Sequence, residues 1–102
     1  MSDFIEVANI KEISENQAKI IEHNEKQIAI FNINGNFYAI SNVCLHRGGP
    51  IGEGFVNEFN ITCPLHGWQY DLKTGQCNTA PGAKLETYQL KVEGDKILIS
   101  AQ

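Results

Sequence analysis

Two short ligand clips constrain this chain more than any other feature. Cys44-Leu45-His46 and Cys63-Pro64-Leu65-His66 each pair one cysteine with one histidine, and sixteen residues, 47–62, separate them. The chain has only three cysteines and three histidines, so the clips take four of the six. A metal centre built from both clips forces their loops to lie side by side, whatever scaffold carries them. The mixture of ligands within each clip then narrows the metal. Zinc sites accept two thiolates and two imidazoles, but their usual pattern groups like ligands, a cysteine pair followed by a histidine pair. A mixed clip suits a two-iron cluster, with its cysteine on one iron and its histidine on the other. The expected ligands are Cys44, His46, Cys63 and His66 around a [2Fe–2S] cluster, with a zinc-stabilised binding module as the competing reading.

Formal charge explains what such a ligand set achieves. An oxidised [2Fe–2S] core carries two positive charges, which two thiolates cancel if both imidazoles are neutral. Four thiolates would leave a dianion, and adding an electron to a neutral site in a low-dielectric pocket is easier. The remote imidazole nitrogens also exchange protons as the iron changes charge.

The rest of the chain suits a small β scaffold. At 102 residues, with 42% hydrophobic and 20% charged residues, it has the size and make-up of one globular domain, residues 1–102. Eight basic against twelve acidic side chains give a net charge of −4, which argues against nucleic-acid binding and favours a basic partner surface. No apolar run reaches the length of a membrane span, so no membrane partner is expected. The start, Met1-Ser2-Asp3-Phe4-Ile5-Glu6, lacks the regions of a signal peptide. A cytoplasmic location follows as the expectation, and there thiols bind metal more readily than they form disulfides.

Short runs with strand character occupy 4–7, 18–21, 26–33, 37–41, 87–93 and 96–100. Asn34-Gly35-Asn36 and Gly94-Asp95 mark hairpins, because asparagine and glycine tolerate positive φ. Residues 11–22 suit a short helix, although 17–22 also suit a strand. The middle is different. Residues 43–82 hold seven of the nine glycines, all three prolines and all three cysteines. That density breaks long elements, so the expected architecture is all-β: an antiparallel sandwich or incomplete barrel built from both ends, with a loop-rich cluster-binding lobe at about 43–82.

Here the residues resemble a known family. Val43-Cys44-Leu45-His46-Arg47-Gly48-Gly49-Pro50 and Cys63-Pro64-Leu65-His66-Gly67-Trp68-Gln69-Tyr70-Asp71 resemble the two cluster loops of Rieske ferredoxins and Rieske oxygenases. The resemblance extends through Gly52-Glu53-Gly54 and Thr74-Gly75 to Leu85-Glu86-Thr87-Tyr88 and Val92-Glu93-Gly94-Asp95. It implies a Rieske fold, the four ligands above and a one-electron carrier that is no enzyme itself. The implied donor is a flavin-containing ferredoxin reductase, and the implied acceptor is a terminal oxygenase component. The small subunit of a nitrite reductase is the alternative within the family. A complete oxygenase would need a second iron held by two histidines and a carboxylate, and only His23 remains.

Respiratory Rieske proteins carry an extra cysteine in each loop, joined in a disulfide. Gly49 and Leu65 stand at those positions here. Trp68 replaces a hydroxyl donor, while the nearby tyrosine is kept as Tyr70. The resemblance is therefore to the low-potential ferredoxin branch, near the negative end of the Rieske range at roughly −150 mV. Among the remaining residues, Leu45, Leu65 and Trp68 suit apolar shielding of the cluster. Gly48, Gly49 and Gly67 suit turns that bring backbone N–H groups near its sulfurs. Arg47 suits either a partner contact or an exposed charge, and Pro81-Gly82 suits a third covering loop or a plain turn. Cys77 reads as a structural or surface thiol, and His23 as an exposed loop residue.

Overall fold

A computed structural model describes residues 4–45, 48–65, 67–80 and 82–100. Its strands are β1 (Ile5–Asn9), β2 (Ala18–His23), β3 (Lys26–Ile33), β4 (Asn36–Ser41), β5 (Phe55–Asn57), β6 (Asn60–Thr62), β7 (Gln69–Asp71), β8 (Thr87–Glu93) and β9 (Lys96–Ser100). Six of them form an antiparallel sheet in the order β1-β9-β8-β4-β3-β2, which curls into a nearly closed barrel. The other three, β5-β6-β7, form a small separate sheet.

Strand β3 explains how the two parts join. Its residues from Ile28 to Phe31 are all buried, as expected of a strand covered on both faces. Successive side chains point to opposite faces. Ile28 and Ile30 accordingly enter one core with Ala8, Ile13, Ala39, Ile97 and Ile99, inside the barrel. Ala29, Phe31 and Ile33 enter a second core with Cys44, Ile61, Cys63, Tyr70, Leu72, Cys77 and Leu85. One strand is thus the wall of the barrel and the floor of the lobe that carries the clips.

The hairpin signals hold. Asn34 and Gly35 have φ of 54° and 84° between β3 and β4, and Gly94 has φ of 62° between β8 and β9. A third tight hairpin, at Asn24-Glu25, joins β2 to β3 with φ of 52° and 67°. The helix considered over 11–22 is absent. Asn9 and Glu12 cap each other's backbone N–H groups around a single 3₁₀ turn, Ile10–Glu12. The chain is then pulled straight as β2 pairs with β3 along six residues. His23 closes β2 half-buried rather than lying in a loop, with Nε2 3.1 Å from Asn24 Nδ2.

Candidate metal centre

The first clip hangs from the end of β4. After Ser41 the chain turns at Asn42, and Val43 pairs with Pro50 in an isolated antiparallel bridge. Inside that bridge the Cys44 N–H donates to Gly49 O at 2.9 Å, and the Gly48 N–H donates to Cys44 O at 2.7 Å. The second clip follows β6 and leads into β7. Its Cys63 N–H donates to Trp68 O at 2.7 Å, and the Gly67 N–H donates to Cys63 O at 3.1 Å. The two loops share one plan: each cysteine bonds the carbonyl five residues on and the N–H four residues on. That fourth residue is left-handed in both, Gly48 at φ 73° and Gly67 at φ 76°, a conformation only glycine adopts without strain.

Packing brings the two cysteines to one place. Gly49 accepts the Cys44 N–H, and a Cβ placed on Gly49 would lie 3.1 Å from Cys63 Sγ. Both thiols are 2% exposed and neither forms a disulfide. The Tyr70 hydroxyl lies 3.3 Å from Cys44 Sγ, and its oxygen accepts the Leu45 N–H at 3.2 Å. With that oxygen occupied, the phenolic hydrogen is free for the sulfur. Burial, and then the Cys44 contact, push the Tyr70 phenol well above its ordinary value, so it stays protonated and remains a donor. Two buried thiols in one core, with Gly49 touching both clips and an OH donor on Cys44, fit the two-thiolate end of an iron–sulfur cluster. His46 and His66 lie outside the described residues, as do Arg47 and Pro81.

The expectation for Leu45 and Leu65 needs adjustment. Leu45 and Leu65 are 50% and 55% exposed, so they present an apolar surface instead of sealing the centre. Each stands on the outer arc of its loop, while the cysteine points inward. Trp68, by contrast, packs against the second core. Cys77 is not a surface thiol: it is 2% exposed, and its sulfur accepts the Ala80 N–H at 3.3 Å. Cys77 also bridges to Tyr70 across the strands, so it pins the segment after β7 onto that strand. The resemblance marks Tyr70 as a kept tyrosine position, but its pairing with Cys44, 26 residues away, shows only in the fold.

Comparison with known proteins decides the family. The Rieske [2Fe–2S] domain matches residues 3–89 of this chain. The chain belongs to that family. A [2Fe–2S] cluster is accordingly its cofactor. The ferredoxin component of naphthalene 1,2-dioxygenase/salicylate 5-hydroxylase systems from Ralstonia sp is 30% identical, over 98% of this chain and 97% of that protein. The ferredoxin of carbazole 1,9a-dioxygenase from Nocardioides aromaticivorans IC177 superposes with a TM-score of 0.91 at 24% identity, covering 99% of this chain and 100% of that one. A structure described as an NADH-dependent nitrite reductase small subunit from Mycobacterium tuberculosis superposes with a TM-score of 0.92 at 16% identity, covering 100% and 97%. The two structural likenesses establish the Rieske fold, which both branches share.

Proposed function

We propose that this chain is a Rieske ferredoxin, a one-electron carrier in which Cys44 and Cys63 hold one iron and His46 and His66 the other. The observation that carries the reading is the shared plan of the two clips, which sets two buried thiols in one core, and the sequence adds a histidine two and three residues after them. When bound, the cluster supplies a site that takes up and releases a single electron. The surrounding residues set the terms. Tyr70 offers its OH to the Cys44 sulfur, which stabilises the reduced, more negative state. Phe31, Ile61 and Leu72 exclude water from the inner side, and Leu45 and Leu65 give a partner apolar surface beside the clips.

In this reading a flavin-containing reductase is the donor and a terminal oxygenase component the acceptor, in the cytoplasm. The chain carries electrons and makes no bonds itself. The whole-length similarity to a dioxygenase ferredoxin component favours this branch over the nitrite reductase subunit, for which the likeness is one of fold alone. Among the described residues no helix is long and apolar enough to cross a membrane.

The test is low-temperature EPR and visible absorption of the purified, reduced protein, followed by stopped-flow reduction with a dioxygenase-system reductase and NADH. A rhombic iron–sulfur signal and rapid reduction are expected. A colourless, EPR-silent zinc protein would overturn the assignment.

A further inference from the structure

Asn42 is the only amide or charged side chain buried among the described residues, at 2% exposure. An unpaired amide in an apolar setting is costly, and here every polar group of the residue is used. Its N–H donates to Gln27 O at 2.9 Å, and its carbonyl accepts the Ile51 N–H at 2.8 Å. In the side chain, Oδ1 accepts the Gly52 N–H at 2.6 Å, and Nδ2 donates to Gln27 Oε1 at 3.1 Å. The packing against this side chain leaves no slack. A Cβ on Gly52 would stand 3.0 Å from Asn42 Oδ1 and 2.6 Å from Ile20 Cγ1.

The position of these bonds matters more than their number. Gln27 lies at the start of β3 in the barrel. Ile51 and Gly52 open the 3₁₀ turn that follows the first clip. Asn42 stands two residues before Cys44 and directly before the Val43–Pro50 bridge. It therefore ties the root of the clip, the far end of the clip and the barrel to one another. An apolar side chain of similar size could fill the space and remove the need for buried partners, but it would leave the clip without fixed bond lengths to the scaffold.

We propose that Asn42 is a positioning residue of the redox centre, holding the first clip so that the Cys44 sulfur stays within reach of the Tyr70 hydroxyl. The proposal rests on the reading that Cys44 is a cluster ligand. Loss of the clamp lets the clip drift from β7, lengthens the Tyr70–Cys44 contact and withdraws a donor that favours the reduced state. The potential falls as a result.

Protein-film voltammetry of the cluster-loaded chain tests this in a double-mutant cycle. Asn42→Ala should shift the potential in the negative direction, as Tyr70→Phe does, and the double variant should fall no further than Tyr70→Phe alone. Gln27→Ala keeps the Gln27 carbonyl and removes only the side-chain acceptor. It should give a smaller negative shift, and it keeps the test alive if Asn42→Ala does not fold. Ile30→Val, in the barrel core, should lose stability without moving the potential. An unchanged potential in both Asn42→Ala and Gln27→Ala, or shifts that add fully to that of Tyr70→Phe, would overturn the proposal. Retention of the native spectrum by Cys44→Ser would instead overturn the ligand reading beneath it.

Discussion

Tyr70 holds its hydroxyl 3.3 Å from the Cys44 sulfur while its oxygen takes the Leu45 N–H, so one phenol reads both the side chain and the backbone of the first clip. A cluster-bound thiolate has no proton to give, so the phenol is the donor, and burial keeps it protonated. Tyr70→Phe should keep the cluster and lower the midpoint potential. A differential hydrogen bond of about 1 kcal/mol corresponds to about 40 mV for a one-electron couple. Voltammetry showing an unchanged or raised potential would refute the donor role.

Gly49 leaves no room for a side chain. A Cβ there would come within 2.9 Å of Leu65 Cγ and Cδ1 and 3.1 Å of Cys63 Sγ. Leu65 is the nearer contact and, though half-exposed, gives way only in part, while the buried sulfur does not move. Gly49→Ala should therefore cost about 1–3 kcal/mol by overpacking and speed the loss of visible absorbance in the presence of a chelator. Adding Leu65→Ala should restore part of the stability, and equal loss with or without Leu65 would place the strain elsewhere.

Cys77 is buried without being a clip residue. Cys77→Ser should retain the iron–sulfur spectrum, while a smaller and more polar group in the core should cost about 1–2 kcal/mol, or roughly 4–8 °C in Tm for each kcal/mol at this size. Disappearance of the spectrum in the folded variant would make Cys77 a ligand after all.

The hairpin between β2 and β3 carries a glutamate where glycine is favoured. Glu25 sits at φ 67° after Asn24 at φ 52°, both left-handed as a type I′ turn requires, and Asn-Gly is the preferred pair there. Glu25→Gly should relieve a left-handed side-chain penalty of about 1–2 kcal/mol, offset in part by the entropy of glycine in the unfolded chain, for a net gain of about 0.5–1 kcal/mol. Chemical denaturation of the variant measures it, and a lower denaturation midpoint would contradict the strain argument.

Two phenols link stability to alkaline pH. Burial, followed by the hydrogen bond to Glu86, raises the pKa of Tyr88 well above its ordinary value, and Tyr70 shifts the same way. A raised value means that the folded state holds the proton more tightly. The associated stability is complete below the unfolded value near about pH 10 and is lost as pH rises beyond it. Urea midpoints should therefore fall steeply above about pH 10. Tyr88→Phe should flatten that fall, and a profile as steep as that of the parent chain would discount Tyr88.

Much of the barrel was legible in the residues. The limits of β3, β8 and β9 agree with the apolar runs, and Asn34-Gly35 and Gly94-Asp95 turn as their chemistry demands. Strands β5, β6 and β7 were not legible. Each is three residues long, too short for alternation to register, and each exists because its neighbours pair with it. The Asn24-Glu25 hairpin was hidden because glutamate is a poor signal for positive φ. Residues 11–22 resisted a local reading because the capping box of Asn9 and Glu12 favours a turn while pairing with β3 favours a strand.

The residues alone determined the make-up of the two clips: one cysteine and one histidine in each, at a spacing that suits two irons, with glycines where the loops must turn. These are properties of short segments, fixed by side-chain type and local backbone freedom. Only the tertiary structure decided which distant groups meet the clips. Tyr70 meets Cys44, Gly49 meets Cys63 and Leu65, and Asn42 meets Gln27 and Gly52 because β3 is buried on both faces and presses the lobe against the barrel. Hydrogen-bond partners 10 to 26 residues apart are chosen by that packing, since a hydrogen bond acts only within a few ångströms and leaves no periodic trace along the chain.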